Sequence, residues 1–197
     1  MEKKKLLLHA CCAPCSSYVL EYLEEQYDIT VFYYNPNITE KEEYIKRVNE
    51  INRFVSEAPF AANVKIIEGE YEPYMFLEIS KGLENEPERG KRCYKCYELR
   101  MDKTARFAKE NCYDVFTTTL SISPHKNAKW LNEIGMRLSE KYQVPYLYSD
   151  FKKKNGYTRS IQLSKEYNLY RQDYCGCVFS KEESLKRKNA SETKNLK

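Results

Sequence analysis

The chain has 197 residues, of which 42% are hydrophobic and 31% are charged, with only 6 Gly and 7 Pro. This length suits one domain with a single core, and the composition excludes collagen-like, low-complexity and disordered proteins. Of the formal net charge of +4, residues 181–197 contribute +3 (six Lys or Arg against three Glu), so the rest of the chain is nearly neutral and its charge alone does not argue for a nucleic-acid partner.

Apolar runs alternate with helical patterns from the start of the chain. Residues 6–9 predict a short buried strand, which an amphipathic helix follows. A second strand is predicted at 28–34. The next helix extends to about Val55, and Thr39 and Glu42 have the spacing of a capping box at its start.

The alternation continues through the rest of the chain. The predicted elements are, in order, a strand at 64–67, helices at 71–81 and 93–108, a strand at 114–120, a helix at 128–142 and a short strand at 144–148. Repeated βα units predict the α/β class, with a mainly parallel sheet and helices on both faces. Residues 83–92 are expected to form a loop or lid, and the basic tail at 181–197 is expected to be disordered.

Polar segments follow the predicted strands. In parallel sheets, ligands collect where the strands end at their C-terminal edge. The segments at that edge are Cys11 and Cys12, residues 35–37, Glu68 and residues 121–125. We therefore expect one crevice to gather them, with residues 175–177 closing over it.

Seven of the eight cysteines lie in three groups. The groups are Cys11, Cys12 and Cys15; Cys93 and Cys96; and Cys175 and Cys177. The apolar run at 6–10 is too short for a membrane helix and no cleavable signal follows it, so a cytoplasmic protein with reduced thiols is expected. A structural zinc takes four ligands, so seven grouped thiols favour iron and sulfide. The remaining Cys112 is expected to be buried by packing.

Two alternatives to an iron–sulfur centre remain open. One is a structural zinc in an RNA-binding module without catalysis. The other is a thiol-disulfide oxidoreductase, since Cys12 and Cys15 have thioredoxin-like spacing and lie near a predicted helix N-terminus. The colour of the protein separates these readings, because thiolate-bound iron absorbs visible light and zinc does not. No Gly-rich loop follows the first strand, so nucleotide-binding fingerprints are absent.

Candidate proton donors and phosphate contacts lie near these groups. His9 ends the first strand and either reaches the metal or satisfies a backbone carbonyl, while His125 faces the expected crevice. Asp150 and Asp173 are candidate oxygen ligands or proton sources. The segment at 152–159 (KKKNGYTR) mixes basic residues with an aromatic ring, which suits a solvated loop or contacts with single-stranded RNA.

Five motifs together resemble the QueH-type epoxyqueuosine reductases. They lie, in order, at 9–16 (HACCAPCS), 34–38 (YNPNI), 92–96 (RCYKC), 117–121 (TTTLS) and 170–177 (YRQDYCGC). The resemblance spans about residues 5–180, which we expect to form a single metalloenzyme domain. It implies a fold similar to nucleotide-alpha-hydrolase-like (HUP) domains and a cytoplasmic bacterial enzyme.

The resemblance also implies an activity and its cofactors. The expected reaction is the last step of queuosine synthesis, the reduction of the epoxide of epoxyqueuosine at the wobble position of tRNA. The implied cofactors are a [4Fe-4S] cluster and an additional mononuclear iron, and nothing in the sequence suggests cobalamin. The electron donor is unidentified. The implied metal ligands are Cys11, Cys12, Cys93, Cys96, Cys175 and Cys177, with Cys15 as a seventh candidate and Asp173 as a carboxylate that could complete one site.

Removal of the epoxide oxygen requires two electrons and protons. The candidate proton donors are Asp173, Tyr174 and His125. Recognition of tRNA would use the single-stranded anticodon loop, whose bases stack on Tyr and Arg side chains. Lys152, Lys153, Lys154 and Arg159 are the predicted phosphate contacts.

Overall fold

A computed structural model describes residues 2–195 of the chain, with four parallel strands at its centre. The strands are β1 (Lys4–His9), β2 (Tyr27–Tyr33), β3 (Lys65–Glu68) and β4 (Val115–Thr118), in the order β3-β2-β1-β4. The three leucines of β1 are completely buried. A continuous apolar run of this kind suits a strand that is covered on both faces.

Helices cover both faces of this sheet. In chain order they are α1 (Ala13–Leu23), α2 (Lys41–Glu57), α3 (Pro73–Ser80), α4 (Lys91–Glu110), α5 (Ala128–Tyr142), α6 (Gly156–Glu166) and α7 (Val178–Asn195). Successive strand residues point to opposite faces, so Leu6 and Leu8 pack in a core with α1 and α2 while Leu7 packs in a second core with α4 and α5. The predicted α/β class is confirmed, and the similarity to HUP domains stays a prediction.

The start of α2 differs from the predicted capping box. The helix begins at Lys41, and Glu40 precedes it without a side-chain capping bond. Thr39 donates its backbone N–H to the carbonyl oxygen of Gly176, 3.2 Å away. The capping-box prediction is therefore wrong, because a tertiary contact rather than a local side chain holds this turn.

Two predicted strands are shorter in the structure. β4 ends at Thr118, because Thr119–Ile122 turns into a 3-10 helix. The strand predicted at 144–148 is reduced to a single bridge between Tyr146 and Phe116. Pro145 lies beside this bridge and has no N–H to donate to a sheet.

The predicted loop at 83–92 surrounds a buried guanidinium. Nη1 of Arg92 donates to the carbonyl oxygens of Leu83, Glu84 and Glu86, at 2.9, 3.0 and 2.7 Å. The segment is a loop as far as the start of α4, and these three bonds hold it against that helix.

Of the segment 181–197 that is expected to be a disordered tail, residues 181–195 belong to α7, and residues 196 and 197 lie outside the described residues. Ion pairs join this helix to the rest of the fold: Lys181 contacts Glu40 at 2.5 Å, and Arg187 contacts Glu88 at 3.8 Å. The structure thus differs from the expected disorder, because the charges of the tail have partners that its composition does not reveal.

Candidate metal centre

The first thiol group lies at the carboxyl end of β1. Cys11 follows the strand, Cys12 is the residue before α1, and Cys15 lies in the first turn of α1. Their three Sγ atoms all lie within 4.8 Å of one another. A helix N-terminus favours negative charge, so thiolates are stabilised here. This group could hold a metal ion.

The second thiol group combines α4 with the loop before α7. Cys93 and Cys96 are in the first turns of α4, and Cys175 and Cys177 come from the loop. The four residues line one small pocket. Thiol groups brought together in this way are the ligand type of zinc and iron–sulfur centres.

Cys175 connects the two groups. Besides the small pocket, it lines a larger cavity of about 540 Å³, which Cys11, Cys12 and Cys15 also line. The fold thus gathers all seven grouped cysteines at one edge of the sheet, as the sequence predicts. Cys112 is exposed, so its predicted burial is wrong; it lies in the turn after α4 with a left-handed backbone (φ 54°).

Side chains from other elements hold the loop that carries Cys175. Arg47 of α2 donates Nη1 to the carbonyl oxygen of Cys175 at 3.1 Å and Nη2 to that of Tyr174 at 3.3 Å. Asn37 donates Nδ2 to the same Cys175 oxygen at 3.2 Å. The loop geometry therefore depends on side chains that follow β2 or lie on α2.

Several cations lie close to the thiols among the described residues, including Arg47, Arg100 and Lys126. Arg47 is buried and pairs with Glu43, with Nε 2.7 Å from Oε1. Arg100 is 1% exposed, and its Nη2 donates to Oδ1 of Asn35 at 2.5 Å. Lys126 is half-buried, and its Nζ lies 3.1 Å from Sγ of Cys175. These side chains place positive charge beside the sulfur atoms.

The electrostatics favour thiolate at two positions. Hydrogen bonds from Cys11 and Cys15 lower the pKa of Cys12, and the charge of Arg47 acts in the same direction. Burial opposes ionisation of Cys175, but the charges of Lys126 and Arg100 outweigh it and lower the pKa of that thiol. Burial raises the pKa of Cys96 to about 12. Thiolate is the form that binds metal, so the lowered pKa values of Cys12 and Cys175 favour metal binding by these two residues.

Comparison with known proteins decides the family. The sequence matches the family described as "Epoxyqueuosine reductase QueH" over residues 6–183. The chain belongs to the QueH family. It is 48% identical to the epoxyqueuosine reductase QueH of Staphylococcus epidermidis over 183 residues, covering 91% of this chain and 77% of that protein.

More distant QueH proteins are similar over nearly the whole chain as well. The epoxyqueuosine reductase QueH of Haemophilus influenzae is 40% identical over 184 residues, which cover 92% of this chain and 74% of the relative. That of Thermotoga maritima is 36% identical over 178 residues, 89% of either chain. The matched region contains all three cysteine groups.

The two histidines of this QueH chain have different surroundings. His9 is completely buried, with Nδ1 2.8 Å from Oγ1 of Thr118 and Nε2 3.1 Å from the carbonyl oxygen of Tyr34. Burial and the charge of Arg100 lower the pKa of His9 to about 3, so the ring is neutral and satisfies that carbonyl. His125 is exposed and lines the larger cavity, 3.0 Å from Nη2 of Arg89.

Asp173 and Tyr174 also line the larger cavity. The Asp173 carboxylate pairs with the Lys188 ammonium of α7, which holds the pKa of Asp173 below its ordinary value. The Tyr174 ring lies against the Arg47 guanidinium, 5.4 Å from its centroid. Asp173, Tyr174 and His125 thus share one cavity with the first thiol group.

The predicted basic segment lies to the side of that cavity. Lys152 pairs with Asp150 at 2.7 Å, and Arg159 pairs with Glu21 at 2.5 Å. Tyr157 of the same segment lines the cavity. The lysines at 152–154 and Arg159 are not among the residues that line it.

Sequence reasoning missed Arg47 and Arg100. Arg100 follows Cys93 and Cys96 at helical spacing, so a helical projection of α4 places all three on one face. That projection could have identified Arg100. Arg47 has no comparable signal, because only the tertiary structure brings α2 against the loop at Cys175.

None of the helices within residues 2–195 combines the length and apolar character that crossing a membrane requires.

Replacement of Gly176 by Ala should disturb the centre. Gly176 has φ 113°, and an added Cβ would lie 2.8 Å from Cγ1 of Ile38 and 3.3 Å from Nη1 of Arg47. We expect Gly176→Ala to lower the free energy of unfolding by about 1–3 kcal/mol and to reduce metal binding by at least about half, because the strained loop carries two thiols. Metal content per chain, measured on anaerobically purified protein, checks this expectation.

Gly82→Ala is the matched control. Gly82 also has a left-handed backbone (φ 74°), but nothing lies within 4 Å of its added Cβ. It should lose stability without losing metal. A metal content in Gly176→Ala equal to that of the wild type would contradict the proposed strain.

Proposed function

We propose that this protein is an epoxyqueuosine reductase. It removes the epoxide oxygen of epoxyqueuosine in tRNA by a two-electron reduction and gives queuosine, the last step of that synthesis. The observation that carries the proposal is the convergence of seven thiols beside one cavity in a chain of the QueH family. The relatives from Staphylococcus epidermidis and Haemophilus influenzae are epoxyqueuosine reductases by name.

The thiol set fits a [4Fe-4S] cluster and an additional mononuclear iron. Seven cysteines exceed the four ligands of either a structural zinc or a single cluster. The proposed ligands are Cys11, Cys12, Cys15, Cys93, Cys96, Cys175 and Cys177. Asp173 lies in the same cavity as the first group, and its carboxylate is a candidate ligand for the additional iron.

The reaction consumes two electrons and two protons and releases the epoxide oxygen as water. When bound, the metal centre supplies the electrons one at a time and a Lewis acid for the oxygen. The side chains of the protein supply the protons and form the cavity that surrounds the epoxide. Tyr174, His125 and Asp173 line the cavity where the epoxide would lie, and Tyr174 and His125 are candidate donors of the proton that leaves with the oxygen. Lys188 lowers the pKa of Asp173, so its carboxylate is ionised and suits ligation better than proton donation.

The cavity suits one flipped or splayed base of an anticodon loop. Its volume is about 540 Å³, and Tyr157, Arg171 and Arg187 are among the residues that line it. Aromatic rings and guanidinium planes stack on unpaired bases, and basic side chains contact phosphate. The lysines at 152–154 flank this side of the molecule and stay predicted contacts with the phosphates of the tRNA.

Thiol-disulfide exchange is a second candidate function. The Sγ atoms of Cys12 and Cys15 lie within 4.8 Å of each other and of Cys11, which favours it. It leaves the four thiols of the second group without a role, so a metal centre explains more of the structure.

Metal and sulfide analysis tests the proposal first. Protein purified without oxygen should contain more than about four iron atoms and about four sulfides per chain, with broad absorption near roughly 400 nm. Cys11→Ala, Cys93→Ala and Cys175→Ala should each lose iron. Cys112→Ala, which removes an exposed thiol, is the control and should keep the full content. Zinc without sulfide would instead support the RNA-binding module.

Substitution of the candidate proton donors separates ligation from proton transfer. Tyr174→Phe, His125→Gln and Asp173→Asn are each expected to keep the cluster absorbance. The actual donor should lose turnover of epoxyqueuosine tRNA by about 10²–10⁴-fold. If Asp173→Asn loses one iron while the absorbance stays unchanged, Asp173 is a ligand. Unchanged turnover in all three variants would refute this assignment.

Salt dependence tests the tRNA contacts. Replacing Arg171 and Arg187 by Gln should weaken binding of an anticodon stem-loop, and each lost phosphate contact should reduce the slope of log K against log salt by about 0.7. The lysine set Lys152→Gln, Lys153→Gln and Lys154→Gln should act in the same direction. Lys109→Gln, at the distant end of α4, is the control. A slope equal to that of the wild type in both sets would contradict these contacts.

A further inference from the structure

Two cations at the centre have no carboxylate partner. Among residues with described side chains, no Asp or Glu oxygen lies within 4.0 Å of the Arg100 guanidinium or the Lys126 ammonium. Arg47, by contrast, pairs with Glu43. The negative charge that balances each of these two cations must therefore come from groups other than carboxylates.

Arg100 is the more deeply buried of the two. Its side chain is among the largest fully buried ones, and its Nε has no hydrogen-bond partner. Nη2 donates to Asn35, which is a neutral amide. Arg100 lines the larger cavity together with Cys11 and Cys175. Burial opposes its charge, but the charges of Cys96, Cys11 and Cys175 raise the pKa of the guanidinium.

Lys126 is the second cation, and it lies where the two cavities meet. It belongs to the turn between the 3-10 helix after β4 and α5, and it lines both the larger cavity and the small pocket. Its Nζ is 3.1 Å from Sγ of Cys175, the member of the second thiol group that lines both cavities. The Lys126 ammonium, from the turn before α5, and the Arg100 guanidinium, from α4, therefore lie near the same thiols.

A buried charge without a partner is strongly destabilising. Arg100 is fully buried and Lys126 is half-buried. Of the carboxylates that line the two cavities, Glu88 pairs with Arg187 and Asp173 with Lys188, so the sulfur atoms are the counter-charge for Arg100 and Lys126. Adding an electron to a metal centre adds negative charge, and a fixed cation nearby stabilises the reduced form, the more so where the local dielectric constant is low.

We propose that Arg100 and Lys126 are positioning residues that provide a shared counter-charge for the two thiol groups and raise the reduction potential of the metal centre. They act through the sulfur ligands and need no contact with substrate. This inference rests on the proposed function only in requiring a reducible metal centre.

Redox titration of the anaerobically purified protein, followed by its visible absorption, tests the inference. Lys126→Met should make reduction at least tenfold less favourable for a one-electron couple, a shift of 59 mV to more negative potential. Lys126→Arg keeps the charge and should restore the potential to within threefold of the wild type. Iron content is measured on each sample.

Lys95→Met is the matched control. Lys95 lies between Cys93 and Cys96 on the same helix and loses the same charge, but its side chain is exposed. Water screens exposed charges, so this variant should stay within threefold of the wild-type equilibrium. An equal shift in Lys95→Met and Lys126→Met would overturn the proposal, because net charge would then suffice.

Asn35→Asp tests the proposed effect of Arg100 on the potential without removing a large buried side chain. It places a carboxylate where the amide oxygen contacts Nη2, which neutralises the guanidinium in place. Reduction should again become at least tenfold less favourable. Unchanged potentials in Asn35→Asp and Lys126→Met with full iron content would overturn the inference and leave the reductase proposal intact. Wild-type protein without iron would refute the reductase proposal itself.

Discussion

The buried ring of His9 joins the ends of three neighbouring strands. It hydrogen-bonds to Thr118 at the end of β4 and to the carbonyl oxygen of Tyr34 just after β2, while its own backbone ends β1. A neutral imidazole can donate from one nitrogen and accept at the other, and both are used. The sheet edge that carries Cys11 is therefore defined by hydrogen bonds as well as by strand register, since His9 pairs with Thr118 and with Phe32.

On this edge, the chain places sulfur and positive charge together. The fold as a whole is close to neutral, yet Arg47, Arg100 and Lys126 converge on the loop at Cys175. A thiolate in a water-poor site is stabilised only if cations or hydrogen-bond donors face it. The same cations that favour thiolate also oppose repulsion between neighbouring sulfur atoms, so a site that gathers seven thiols needs them.

The C-terminal part of the chain contributes more to this region than its composition indicates. α7 supplies Lys188, which pairs with Asp173, and Arg187, which pairs with Glu88 at the cavity. The basic tail is thus part of the wall of the cavity. Composition predicts disorder here because it counts charges without their partners, and the partners lie more than ten residues away in sequence.

The sequence by itself determined the class of the fold and indicated the thiols that we propose as metal ligands. Periodic apolar runs predict a parallel α/β sheet, since burial on both faces requires them, and the spacing within each cysteine group predicts shared metal ligation. The tertiary structure decided how the groups meet, because bonds from Asn37 and Arg47 help to hold Cys175 beside the first group. It also decided where α2 begins, where β4 ends and which cations face the sulfur atoms. These features depend on contacts between residues far apart in sequence, which local patterns do not encode.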